Sequence, residues 1–261
     1  MAPRPRDRAL HHCVRGAVLT VCLGLAGAAS AQQIVSAEFA NPTDRYPHGV
    51  LGDDLEWASL RITVETPVGN GDGLFTGQTT RTYSLDAPAD LVFEDLEPRL
   101  WDITGDGAPE VVVVQSHQRL GARLLVIGVQ DGVPAFLGEV PFIGTRFRWL
   151  APVGAADFDE DGRIEVAFVD RPHLAKTMRI FEWNGSELVL DAEVSGVTNH
   201  RIGQDFISGG VRDCGAGPQM VTADGDWSDV MVTSFDNGWI TRSVGAYSPD
   251  ALDAALGCAA G

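Results

Sequence analysis

Two short acidic loops contain the residue types and spacing that could do chemistry in this chain. The stretch "DFDEDGRIE", which begins at Asp157, places carboxylates at loop positions 1, 3, 5 and 9 and a glycine at position 6. Carboxylates at this spacing repel one another unless a cation lies between them, and oxygen ligands in a flexible loop suit Ca²⁺ better than Zn²⁺. The expected ligands are the side chains of Asp157, Asp159, Asp161 and Glu165 and the main-chain carbonyl of Arg163.

A second stretch, "DITGDGAPE", begins at Asp102 and has the same arrangement with a threonine at loop position 3. The expected ligands are the side chains of Asp102, Thr104, Asp106 and Glu110 and the main-chain carbonyl of Ala108. Because this loop has one carboxylate fewer, we expect it to bind Ca²⁺ more weakly than the other.

These loops allow two other interpretations. An EF-hand needs a glutamate at loop position 12 and flanking helices, but position 12 is Val113 or Phe168, each within an apolar run typical of a strand. The acidic residues could also be solvated turn residues without a metal. Two loops at corresponding places of a repeat favour a metal.

The repeat is visible in the spacing of four polar residues. Glu56, Glu110, Glu165 and Gln219 follow one another at steps of 54, 55 and 54 residues, and each precedes a short apolar run. A regular period of this length indicates a repeat architecture. Four such units account for the chain after its amino-terminal segment.

Within each period the pattern is typical of strands rather than helices. The apolar runs are short and broken by Gly, Asp and Pro, and Asn184-Gly185 is a hairpin signal. The sequence therefore predicts an all-β fold, a β-propeller of about four four-stranded repeats of ~55 residues. A β-sandwich is the alternative, but it does not require this period. A strand is expected near Ile34–Phe39, an exposed glycine-rich loop over Pro67–Gln78, and a short carboxyl-terminal helix capped near Ser248 or Asp250.

The two acidic loops resemble the Ca²⁺ loops of FG-GAP/VCBS repeats, which occur in the integrin-α-like β-propeller superfamily. The shared pattern is D-x-[DNT]-x-D-G-x-x-E followed by a strand, and it matches at Asp102–Val114 and Asp157–Val169. The family commonly has seven blades, whereas this chain has length for about four. The resemblance, to the bacterial exported type, implies a secreted or surface propeller with structural Ca²⁺. It implies no particular ligand, because the fold serves binding, adhesion and some enzymes alike.

The amino-terminal 31 residues have the pattern of a secretory signal. Four arginines precede an apolar run over Ala17–Ala28, and Ala29 and Ala31 stand at the small-residue positions of a cleavage site. A lipoprotein signal ending at Cys22 is the alternative, but Val21 stands where a small residue is wanted. We therefore expect residues 1–31 to be removed and residues 32–261 to form a periplasmic or secreted propeller domain.

Charge and cysteine content narrow the partners of the mature chain. The predicted signal holds four arginines and one aspartate, so the mature chain would keep 15 basic and 35 acidic residues, a formal net charge of −20. That charge argues against nucleic acid and anionic lipid as partners. No second apolar segment is long enough to cross a membrane.

Two cysteines remain, Cys214 and Cys258, and we expect a disulfide between them rather than free thiols.

The sequence shows no nucleophile elbow, P-loop or dinucleotide motif. Four basic residues precede the inner strands of two neighbouring repeats, where a propeller would bring them to one end of its channel: Arg146, Arg148, His200 and Arg201. They could bind a protein, a glycan or a small anionic ligand. Alternatively, Glu94 and Asp95 neutralise them in a plugged tunnel. We expect a monomeric binding or scaffold protein, and a hydrolase that uses the channel mouth is the alternative.

We expect the mature protein to begin at Gln32, because cleavage after Ala31 is the best match to the signal pattern. Intact-mass spectrometry of protein from the exported fraction measures this directly. A protein that retains Met1, or one with a lipid on Cys22, would contradict the prediction.

Overall fold

The structure is a computed structural model that describes residues 32–69 and 75–259. The predicted signal, residues 1–31, lies outside the described residues. Seventeen strands and one helix are described, and they fall into four consecutive units that follow the sequence repeat.

Unit one is an antiparallel three-stranded arrangement in which the second strand lies between the other two. Its strands are β1 (Gln33–Thr43), β2 (Glu56–Gly69) and β3 (Phe75–Asp86). The strand expected near Ile34–Phe39 is part of β1 and completes this unit by pairing with β2. The expected exposed loop over Pro67–Gln78 was wrong at its flanks, which are strand, and residues 70–74 lie outside the described part of the chain. The flanks pair with each other, and this pairing overrides the glycine-rich composition.

Units two to four each contain a four-stranded meander. Unit two comprises β4 (Leu91–Phe93), β5 (Arg99–Trp101), β6 (Glu110–His117), β7 (Gly121–Gln130) and β8 (Val133–Glu139). Unit three comprises β9 (Leu150–Ala156), β10 (Glu165–Asp170), β11 (Thr177–Trp183) and β12 (Leu188–Ser195). Unit four comprises β13 (Val197–Thr198), β14 (Gly210–Asp213), β15 (Pro218–Asp224), β16 (Asp229–Phe235) and β17 (Trp239–Ala246), followed by α1 (Pro249–Leu256). In units two and four the first strand is split into two short segments that pair with the same neighbour.

The period found in the sequence is a structural period. Glu56, Glu110 and Glu165 are the first residues of β2, β6 and β10, and Gln219 is the second residue of β15. The prediction of four four-stranded repeats holds for units two to four, whereas unit one has three strands. Unit one also joins unit two through the residue pair Trp57–Phe93, so that these two units form one eight-stranded sheet.

Apolar side chains are buried between neighbouring units, on both faces of β6 and β10. Along β6, Val111 and Val113 pack against unit one, and Val112 and Val114 pack in the core shared with unit three. Strand β10 alternates in the same way between the cores on its two sides. A strand buried on both faces carries a near-continuous apolar run, which explains runs such as Val111–Val114 in the sequence. The fold is all-β and propeller-like, as predicted.

The carboxyl-terminal helix closes unit four. Ser248 caps it, because the Ser248 hydroxyl accepts a hydrogen bond from the Ala251 N–H at 3.0 Å. Leu252 and Ala255 are buried against β15 and β16. No helix in residues 32–69 or 75–259 is long and apolar enough to span a membrane.

The predicted disulfide is confirmed, and it joins Cys214, just after β14, to Cys258, just after α1. The bridge closes a loop with a sequence separation of 44 residues. That loop contains the remaining strands of unit four and the helix, so the bridge constrains the end of the chain.

Replacing both cysteines by serine should lower the free energy of unfolding by about 2–4 kcal/mol, because the unfolded chain is no longer constrained by this loop. Denaturant unfolding without reductant, monitored by tryptophan fluorescence, measures the difference. Reductant should destabilise the wild type and leave the double variant unchanged. Equal stability of the two oxidised proteins would contradict the prediction.

Candidate functional site

The acidic loop at residues 157–165, called loop two here, lies between β9 and β10. The Gly162 N–H donates to Asp157 Oδ2 at 3.0 Å, and the Arg163 N–H donates to Asp161 Oδ1 at 2.9 Å. The loop turns through Gly162, which has a positive φ of 91°. At its end, the Phe158 N–H donates to Glu165 Oε2 at 2.7 Å. These bonds curl the backbone around its own carboxylates.

Two carboxylate oxygens of loop two are buried without a hydrogen-bond partner: Asp157 Oδ1 and Glu165 Oε1. Buried polar atoms are normally hydrogen-bonded, so such oxygens indicate a missing electropositive partner. Burial, and then the charges of nearby aspartates, raise the pKa of Glu165 to about 7, although the Phe158 hydrogen bond opposes this shift. Burial also raises the pKa of Asp159. A cation at this point would keep these groups ionised.

The carboxylates of loop two form two groups rather than one. In each group, one ligand atom from every member lies within 4.8 Å of the others. The groups are Asp157, Asp159 and Glu165, and Asp161, Glu165 and Glu182. The structure thus brings together the four predicted acidic residues but divides them between two positions, with Glu165 in both.

Sequence reasoning missed Glu182, which lies on β11 outside the acidic motif. It pairs directly with Glu165 across the β10–β11 ladder, and its Oε1 accepts from Arg163 Nη1 at 2.5 Å. The Asn184-Gly185 turn is the sequence signal that could have found it. This turn marks the end of β11, and in an antiparallel hairpin the end of β11 lies beside the start of β10, where Glu165 stands.

The acidic loop at residues 102–110, called loop one here, satisfies its own carboxylates. Asp102 Oδ1 accepts from the Gly105 N–H at 2.7 Å, and Asp102 Oδ2 accepts from the Gly107 N–H at 2.8 Å. Asp106 accepts from the Ala108 N–H, and Glu110 accepts from the N–H groups of Ile103 and Thr104. Among residues 32–69 and 75–259, the groups of three close acidic ligands both lie at loop two. Loop one is therefore a hydrogen-bonded turn with fewer free oxygens.

Where the four units meet, the centre is filled by a buried cluster, called the central cluster here: Tyr46, His48, Glu94, Trp149 and His200. Tyr46, Glu94 and His200 have no exposed surface, and Trp149 is 2% exposed. Trp149 Nε1 donates to the Glu94 carbonyl at 2.8 Å, and His48 Nδ1 contacts the Glu94 carboxylate. Burial raises the pKa of Glu94. Burial, and then the charge of Glu94, raise the pKa of the neighbouring Glu56 to about 10.

The four predicted ligand-binding residues do not form one group. The Arg146 guanidinium lies over the rings of Phe147 and Tyr46, at 4.4 and 5.7 Å, and Arg148 donates to the Phe147 carbonyl. His200 is buried in the central cluster. The Arg201 guanidinium lies 4.3 Å from the centre of the Trp227 ring and lines a separate cleft of about 600 Å³ beside α1.

The acidic residues expected to neutralise these arginines have other partners. Glu94 contacts His48, and Asp95 pairs with Arg99 at 2.6 Å. The centre is therefore filled by the aromatic, histidine and glutamate side chains of the central cluster. The arginine–carboxylate pairs that the sequence suggested as a plug do not form there.

His200 is buried and forms a hydrogen-bonded pair with His173, which is half-buried. His200 Nε2 donates to the Gln204 carbonyl at 3.0 Å, which leaves Nδ1 to accept from His173 Nε2 at 3.1 Å. Burial, and then the neighbouring His200, lower the pKa of His173 to about 4, and burial lowers the pKa of His200 as well.

Comparison with protein families finds a match to part of the chain. Residues 102–168 match the FG-GAP-like repeat, so the match covers loop one, loop two and most of β10. The chain thus contains an FG-GAP-like repeat, which is characteristic of propeller-type binding or scaffold modules. No curated protein matches the sequence.

Replacing His173 by glutamine should make the free energy of unfolding depend less on pH in the acidic range. The unfolded histidine takes up a proton near pH 6.5, whereas the folded residue does so near pH 4. Because the folded pKa is depressed, stability is complete above about pH 6.5 and falls as the pH falls towards about 4. Glutamine keeps the donor to His200 and does not titrate, so the pH slope should decrease by up to one proton.

Denaturant unfolding at several pH values between about 4 and 7 measures this slope. His117→Gln is the matched control, since His117 lies beside Asp90 outside the central cluster. Identical slopes for the wild type and His173→Gln would contradict the prediction.

Proposed function

We propose that this chain is an exported, Ca²⁺-binding, propeller-type module that binds a partner or acts as a scaffold. The observation that carries the proposal is the pair of buried, unpartnered oxygens in loop two, Asp157 Oδ1 and Glu165 Oε1. They belong to a group of three carboxylates with close ligand atoms, completed by Asp159.

The chemistry of this group suits a hard divalent cation. All its donors are carboxylate oxygens, which Ca²⁺ prefers and which Zn²⁺ sites rarely use alone. A bound cation would offset both the mutual repulsion of the carboxylates and the cost of burying Glu165. Asp157, Asp159 and Glu165 would hold the ion, which supplies charge neutralisation and fixes the loop.

The ion would have a structural role at the boundary between units three and four. Phe158, the residue between two proposed ligands, is 3% exposed and packs in the core shared by these units. Its ring contacts the Trp239 ring edge-on at 6.2 Å. Fixing loop two on a cation therefore fixes a side chain that joins two units.

Export is supported by two independent features. Residues 1–31 have the pattern of a secretory signal. Cys214 and Cys258 are bonded, and disulfides persist mainly in oxidising compartments. The proposed location is the periplasm or the extracellular space.

The binding role rests on the FG-GAP-like repeat and on the filled centre of the molecule. With the central cluster buried, partner contacts are proposed for the outer surface, where Arg146 and Arg201 are exposed. Each guanidinium lies over an aromatic ring, an arrangement suited to a protein, a glycan or a small anion.

Ca²⁺ should raise the melting temperature of the protein relative to the same protein in EDTA. At a Ca²⁺ concentration one hundred times the dissociation constant, the free energy of unfolding should rise by about 2.7 kcal/mol per site. We expect a dissociation constant of about 10⁻⁴–10⁻³ M, as in other extracellular modules. Differential scanning calorimetry across a CaCl₂ series measures the gain.

The matched variants place the effect in one loop. Asp159→Ala removes a charged ligand from loop two and should abolish most of the gain. Thr104→Ala changes the corresponding position of loop one and should leave it nearly intact. If EDTA and CaCl₂ give the same melting temperature for the wild type, the loops are not metal sites.

A further inference from the structure

We propose a second cation position, formed by Asp161, Glu165 and Glu182, next to the loop two site. This inference rests on the proposed Ca²⁺ function and extends it with a ligand from outside the acidic motif. One ligand atom from each of the three residues lies within 4.8 Å of the others. That spacing allows all three carboxylates to bind one Ca²⁺ ion, since ligands about 2.3–2.6 Å from an ion lie within about 5 Å of one another.

The carboxylates of this region do not converge on a single point. Asp161 belongs with Glu182 across the strand ladder, whereas Asp157 and Asp159 form the other group. A single ion bound by Asp157, Asp159 and Glu165 therefore leaves Asp161 and Glu182 without a cation. Two ions, one at each group, use every carboxylate that the structure brings together.

Glu165 is the residue that could serve both positions. It is 1% exposed, its Oε1 has no hydrogen-bond partner, and its Oε2 accepts only the Phe158 N–H among the described contacts. A carboxylate has two oxygens and about four lone-pair directions, so it can contact two cations at once. A buried glutamate with one unpartnered oxygen, shared by two acidic groups, is the feature that distinguishes this cluster from a solvated acidic surface.

Charge balance also favours two divalent cations. Among the ion pairs of residues 32–69 and 75–259, the five carboxylates of the two groups contact one guanidinium, that of Arg163. Fully ionised, this set carries four more negative than positive charges, which two divalent cations neutralise and one does not.

Arg163 is the internal competitor for the second position. Its Nη1 lies 2.5 Å from Glu182 Oε1, and its Nε lies 4.0 Å from Asp161 Oδ2. The Arg163 side chain is 55% exposed, so it can leave Glu182 for solvent when a divalent cation arrives. Ion pairs near the surface are weak, so displacing the Arg163 guanidinium from Glu182 costs little free energy.

Isothermal titration calorimetry with CaCl₂ on chelator-treated protein tests the second position. The wild type should bind one more Ca²⁺ per chain than Glu182→Gln. The matched control is Glu193→Gln, which makes the same change on β12 of the same sheet, where Glu193 pairs with Arg179 and joins neither acidic group. This control should bind as many ions as the wild type.

Two further variants separate the second position from the proposed loop two site. Asp157→Asn should lose the loop two ion and keep binding that depends on Glu182. Arg163→Ala should tighten the weaker binding step by about two- to fivefold, because the competing guanidinium is gone. Melting curves in EDTA check that each variant is folded.

The outcomes are distinct. If Glu182→Gln binds as many ions as the wild type with the same affinities, while Asp157→Asn loses one, the second position is wrong and the loop two site stands. If the wild type binds no Ca²⁺, the proposed metal function itself is wrong and the second position falls with it.

Discussion

Burial of both faces of the same strand is the constraint on which the rest of this structure depends. Val111 to Val114 are all fully buried, and successive residues contribute to different cores. Such a strand has no solvent-facing side, so polar groups must be placed at its ends. Glu110 and Glu165 stand at those ends, and the loops that precede them supply backbone N–H groups to their carboxylates. The acidic loops are therefore part of how each buried strand begins, as well as candidate cation sites.

The two loops show how one sequence pattern can produce two electrostatic situations. In loop one, main-chain donors occupy both oxygens of Asp102. In loop two, only one oxygen of Asp157 has such a donor, and the other is buried and unpartnered. The acids and the glycine that the loops share do not distinguish these outcomes, because positions 1, 5, 6 and 9 carry the same residue types and, among the side-chain ligand positions, the loops differ only at position 3, Thr104 against Asp159. The number of backbone donors directed at the first aspartate is what separates them.

Much of the fold could be predicted from the sequence because its main signals are local or periodic. The 54–55-residue spacing placed Glu56, Glu110 and Glu165 at equivalent strand starts, and Ser248 was one of the two expected helix caps. The FG-GAP-like resemblance agrees with the family match. What could not be predicted depends on contacts between distant segments. The pairing of Trp57 with Phe93, the filling of the centre by Trp149 and His200, and the approach of Glu182 to loop two all arise from tertiary packing, which spacing along the chain does not report.

The disulfide has a mechanical consequence. Cys214 and Cys258 enclose β15, β16, β17 and α1 in a closed covalent loop. Tension applied between the two ends of the chain is carried across the sulfur bridge, so the enclosed segments cannot be pulled out to their full length. Under such a load the strands before Cys214 extend first, while the last three strands and the helix stay together as one covalently bounded block.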